Sequence, residues 1–189
     1  MRIAGSTSIL LMLTSALAGP AVGQSMQRLS IQGSGAMVFP TSSSDPFENN
    51  TKLGWEAQLR YTFSRFSLGG GYQRSVVYQI SQGTSNSTAS VPVLFLEPRY
   101  VVTASSAVAV YLAGRVGIGS LKCSPEEDCA TQGNEPALGG GAGVLVALGA
   151  RVSLDLGSQY FSTRITTATG SDKIWAGYLL ARAGLSIGL

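Results

Sequence analysis

No histidine occurs among the 189 residues, only two are cysteine, and Asp, Glu, Lys and Arg together make up just 12% of the chain. Without histidine the chain lacks the side chain that most often serves as general base or metal ligand near neutral pH. Serine and aspartate alone make a poor hydrolytic set, so no enzyme activity and no catalytic residue are expected. Cys123 and Cys129 stand in C-S-P-E-E-D-C. A metal site drawing on Glu126, Glu127 and Asp128 would have no imidazole and no recognised ligand spacing, so neither metal nor cofactor is expected. A formal net charge of only +3 offers no basic surface for nucleic acid. The apolar run at residues 9–17 is too short to cross a bilayer as a helix, and beyond it no helix-length pattern of 3.6-residue period survives.

What the chain does have is glycine, 24 residues of it, and 44% hydrophobic residues. With so few charges, that balance describes a protein much of whose surface avoids water. The N-terminus accounts for part of it: Arg2, the apolar run and then small residues have the three-part build of a secretory signal peptide. Ala21 and Gly23 fit a cleavage site before Gln24, and Ala16 and Ala18 offer a second one before Gly19. The expected division is a signal peptide at 1–23 and one domain at 24–189. Loss of Arg2 with the signal lowers the net charge from +3 to +2. In an exported chain the two cysteines are expected to form a disulfide.

The mature chain reads as eight period-two segments separated by polar or glycine-rich breaks. They cover residues 28–39, 53–63, 66–76, 91–103, about 108–118, 138–148, 152–160 and 175–189. The second is the clearest: Leu53, Trp55, Ala57, Leu59, Tyr61 and Phe63 alternate with Gly54, Glu56, Gln58, Arg60 and Thr62. Pro92 and Pro98 are weak points of the fourth, since each removes a ladder donor. The sixth is rich in glycine, and small residues on an inner face make room for long side chains across a narrow barrel. The last ends on the final residue with one apolar side, so pairing with the first strand would leave no edge open.

Connections after the second, fourth and sixth segments are two or three residues, whereas those after the first, third, fifth and seventh are roughly ten to seventeen. Short turns at one end and long loops at the other are the mark of a transmembrane barrel with periplasmic turns and termini. Trp55, Tyr160 and Trp175 would then ring the outer rim, and Tyr61, Phe63, Phe66 and Tyr100 the inner one. Arg74, on the apolar phase, falls near the outer rim, where it can snorkel. A soluble lipid-binding barrel would carry the opposite phase, apolar inside and polar outside.

Seven acidic residues (Asp45, Glu48, Glu126, Glu127, Asp128, Glu135 and Asp172) are assigned to the long loops. The other three, Glu56, Glu97 and Asp155, share the inner phase with Arg60, Arg99, Arg115 and Arg182. An eight-stranded barrel is just wide enough for side chains to fill it, so these charges are expected to pair across the lumen and plug it. A narrow gated pore with a slight preference for anions is the alternative. The loops at 40–52 and 81–90 are rich in Ser, Thr and Asn and could meet a surface or envelope partner. The acidic loop 120–136 is the first candidate for an ordered surface feature.

With these features the chain resembles the small eight-stranded outer-membrane barrels of Gram-negative bacteria, the OmpA-type and OmpX-type domains, over essentially all of 24–189. The resemblance implies an integral outer-membrane protein surrounded by outer-membrane lipid, with a structural or surface-interaction role and no cofactor. It also implies contact with the barrel insertion machinery during assembly. Arg182, Gly184, Ile187 and Leu189 match the spacing of that family's C-terminal assembly signal, although Leu189 stands where an aromatic residue is usual.

Overall fold

Strict alternation at residues 53–63 becomes the strand β2, Lys52–Phe63, in which Glu56, Gln58 and Arg60 are buried while Leu53, Trp55, Leu59, Tyr61 and Phe63 face outward. The same inversion holds around the molecule. Leu53 is 68% and Leu94 60% exposed, whereas Glu97 and Asp155 are 0% exposed. A polar interior under an apolar exterior suits a lipid surround and would be unstable in water.

The structure, a computed structural model, describes residues 28–41, 52–82, 85–105, 107–124, 133–166 and 173–189. The signal segment, Cys129, Glu126, Glu127, Asp128, Asp45, Glu48 and Asp172 lie outside the described residues. Eight long strands, β1 (Leu29–Pro40), β2, β3 (Phe66–Gln82), β4 (Ser85–Ala104), β5 (Val108–Gly119), β7 (Glu135–Ala147), β8 (Val152–Thr166) and β9 (Lys173–Gly188), follow one another as antiparallel neighbours. A three-residue strand, β6 (Lys122–Ser124), pairs with the upper part of β4 at Thr88, Ala89 and Ser90. The barrel closes where β9 meets β1, from Ser30 opposite Gly188 to Pro40 opposite Tyr178. Leu189 completes the seam by donating its backbone N–H to the Leu29 carbonyl at 2.9 Å.

Three expectations about the connections need correction. Residues 81–90 are not a long loop: β3 and β4 pair up to Gln82 opposite Ser85, leaving only residues 83–84 between them. β8 and β9 likewise run on to Thr166 opposite Lys173, well past the segments that end at 160 and begin at 175. Glu135 opens β7 and is not a loop residue, and β6 inserts a short strand into the loop expected at 120–136. At 17 and 20 residues, β3 and β4 far exceed the roughly 9–11 needed to cross a bilayer. A ladder can continue beyond the apolar band because every residue still finds backbone partners, while the sequence there need no longer alternate apolar with polar residues.

Pro98 is accommodated by position. The β3–β4 register runs unbroken past Pro98 opposite Leu68, while on the other side it passes from Leu96–Val116 to Arg99–Ala113. The turn at residues 64–65 places Ser64 at φ 58°, the left-handed region that a tight two-residue hairpin requires. That turn, the β4–β5 connection after Ala104, the turn at 148–151 and the described termini define the turn end; the opposite end is the loop end.

Candidate functional site: the barrel interior

Three layers fill the lumen. Toward the loop end Ala36, Val38, Val91, Val93, Phe95, Ala137, Phe161, Tyr178 and Leu180 form an apolar cluster. The rings of Phe161 and Tyr178 lie 5.5 Å apart within it. Toward the turn end Val101, Ala109, Tyr111, Ala113 and Leu145 form a second cluster. Between them lies the charge network. Period two delivers each charge to the inside, and register sets its height.

Glu97 is the centre. Its Oε1 accepts from Arg60 Nη2 at 2.8 Å and Arg99 Nε at 2.7 Å. Its Oε2 accepts from Arg115 Nε at 2.8 Å, Arg115 Nη2, Arg182 Nη1 at 3.0 Å and Gln159 Nε2 at 2.9 Å. One carboxylate thus meets four guanidinium groups carried by β2, β4, β5 and β9. Glu56 takes Arg115 Nη1 at 2.8 Å and Arg182 Nη1 at 3.0 Å. Asp155 takes Arg99 Nη1 at 2.7 Å and the Tyr111 hydroxyl at 2.6 Å. All seven charged residues expected inside are therefore buried and joined in one network.

Uncharged partners complete it, and these were not singled out from the sequence. Arg115 Nη1 donates to Gln73 Oε1, Arg60 Nη2 donates to Gln58 Oε1 at 2.7 Å, and Arg99 Nη2 donates to Gln32 Oε1 at 3.3 Å. Two guanidinium planes also lie over aromatic rings, Arg115 at 3.8 Å from the Phe95 centroid and Arg99 at 4.3 Å from that of Tyr111. Phase alone puts Tyr111 and Phe95 inside; the signal that they hold a cation is absent from a linear sequence, because it depends on tilt and shear.

Glycine makes the space. A Cβ on Gly143 would collide with the Tyr111 hydroxyl and ring, and one on Gly139 would meet Phe161 Cδ2 at 2.5 Å. β7 thus yields its volume to long side chains from its neighbours. Outside, the Trp55 and Tyr72 rings are tilted against each other with centroids 5.5 Å apart, and Phe63 lies 5.0 Å from Phe66 at the opposite end. Trp55 stands opposite Arg74 and Trp175 opposite Arg164, all four exposed toward the loop end.

The terminal residues divide by phase. Arg182 is buried, while Ile187 and Leu189 are about half exposed on the outer surface, at 50% and 57%. Gly184 faces Ser34 so closely that a Cβ there would strike the serine hydroxyl. Cys123 sits in β6. Among the described residues no group of three or more His, Cys, Asp or Glu side chains could hold a metal ion.

No family model matches the chain, and no curated protein matches it. Solved structures do. Neisserial surface protein A is similar with a TM-score of 0.66 at 16% identity, over 85% of this chain and 97% of that one. Ail, the attachment invasion locus protein of Yersinia pestis, gives 0.52 at 16% identity, over 85% and 99%. Outer membrane protein W of E. coli gives 0.51 at 14% identity, over 88% and 100%. At these identities the likeness is one of fold: this chain has the closed, antiparallel, up-and-down fold of the small eight-stranded outer-membrane barrels.

Proposed function

We propose that this outer-membrane-type barrel resides in the outer membrane of a Gram-negative bacterium as a sealed, non-enzymatic protein, with periplasmic termini and a structural or surface-interaction role exercised from its loop end. The observation that carries the sealed reading is Arg182 of β9 reaching Glu97 of β4, strands that stand opposite one another in the barrel. A bridge across the diameter, with the apolar cluster on its loop side, supports a lumen filled by its own side chains. This favours a plugged barrel over a gated pore.

Outer-membrane lipid is the surrounding partner in this reading. The two outward Trp–Arg neighbours at the loop end suit an anionic interface, with the indole at headgroup depth and the guanidinium in reach of phosphate. The strand pairing of residues 173–189 with β1 and β8 supports a role for that segment in assembly by the insertion machinery. Cys123, held on β4 by β6, pairs with Cys129 in this reading and closes a short surface loop worth about 2 kcal/mol.

Refolding tests the location. The purified chain should show heat-modifiable gel migration and β-rich circular dichroism in detergent but not in buffer. A monomeric fold that is soluble without detergent would contradict the membrane reading.

A further inference from the structure

Among the described residues the buried charges are four guanidinium groups and three carboxylates, so the interior carries one surplus positive charge. At neutral pH the arginines are protonated and Tyr111 donates its hydroxyl proton to Asp155, so the surplus is present there. A buried charge left uncompensated is strongly destabilising. Arg60 is where the imbalance concentrates. Among the described residues its one carboxylate partner is Glu97, which it shares with three other arginines, and its buried Nε has no hydrogen-bond partner.

A cavity lies beside it. Toward the turn end a space of about 20 Å³ is lined by Arg60 and Arg99 together with Ser30, Ser67, Ser153 and Ser186. One water-sized occupant needs roughly 10–15 Å³, so the cavity admits one small ion. Gln32, Thr62 and the apolar Leu145 complete the lining, and its hydroxyl and guanidinium groups can donate. Ser67 Oγ already accepts from Arg60 Nη1 at 3.2 Å, which leaves its own O–H free to donate. Among the described residues no carboxylate lines the space.

We propose that this cavity binds a single halide-sized monovalent anion, held by Arg60 and Arg99 and by the serine hydroxyls, which neutralises the surplus charge of the network. Water would fill the volume without supplying the charge. The lining residues lie toward the turn end, where Leu145 of the second apolar cluster borders the same space.

Two measurements on the refolded full barrel test it. Crystals grown in bromide and measured at the bromine absorption edge should show one anomalous peak in the cavity between Arg60 and Arg99; an empty cavity there would overturn the proposal. In detergent, replacing sodium gluconate by sodium chloride at constant ionic strength should raise the thermal midpoint saturably, by about 3 °C or more. The dependence should vanish in Arg60→Gln and weaken severalfold in Ser153→Val. A midpoint indifferent to the anion in the unsubstituted protein, or one that rises without saturation, would refute the site. The bromide experiment needs no variant and stands even if Arg60→Gln does not fold.

Discussion

Arg182 Nη1 lies 3.0 Å from Glu97 Oε2, and Arg182 Nη2 lies 3.2 Å from Glu97 Oε1, a two-pronged contact spanning the barrel between strands with three others on either side. It ties the last strand to the most heavily shared carboxylate. Stability should therefore fall unequally when the three acids are neutralised.

Glu97→Gln leaves four guanidinium groups without their common partner and should cost about 3–5 kcal/mol, or block refolding outright. Glu56→Gln, with two arginine partners, and Asp155→Asn, with one, should each cost less. Equilibrium urea unfolding in phospholipid vesicles gives the order. An Asp155→Asn loss larger than that of Glu97→Gln would contradict a network centred on Glu97.

Gly143→Ala inserts a methyl group where the Tyr111 hydroxyl lies and should cost about 1–3 kcal/mol. Tyr111→Phe removes the nearest clashing atom, at the expense of its bond to Asp155. The double variant should therefore lose less than the two single losses added together. Strict additivity would mean that the two residues do not compete for the same space.

Ser64 holds a φ of 58°, which glycine adopts freely and a β-branched residue resists. Ser64→Gly should stabilise the barrel by about 0.5 kcal/mol and Ser64→Val should destabilise it by more. Unfolding midpoints that move in the same direction for both would refute the turn geometry.

Deleting residues 187–189 removes the Ile187–Ile31 pair, the Gly188 N–H bond to the Arg151 carbonyl at 2.7 Å and the Leu189 N–H bond to Leu29. Outer-membrane assembly in cells should be lost before any loop function is affected. Normal surface exposure of the truncated chain, read by protease accessibility, would show the seam to be dispensable.

Much of this was legible in the sequence, and the gaps have a physical pattern. Residues 53–63 announce their strand because one face meets lipid and the other a polar lumen, which forces strict alternation. Residues 77–90 do not, because the ladder there extends beyond the apolar band and composition stops reporting phase. The seven interior charges were visible from phase, but not that Glu97 would outrank Glu56. That ranking comes from register, since Glu97 stands opposite Gly69, a position without a side chain to crowd it, while Arg99 sits one pleat along on the same face. Gln73, Gln159 and Tyr111 were unassigned for the same reason: two inward side chains meet only when tilt and shear bring them to one height.

Single-channel recording in planar bilayers tests the central claim most directly. A lumen bridged by Arg182 and Glu97 and capped by the apolar cluster predicts no steady conductance above the bare membrane from the unsubstituted barrel. Steady channels whose ion preference reverses in Arg115→Glu would contradict it and establish the interior as a pore.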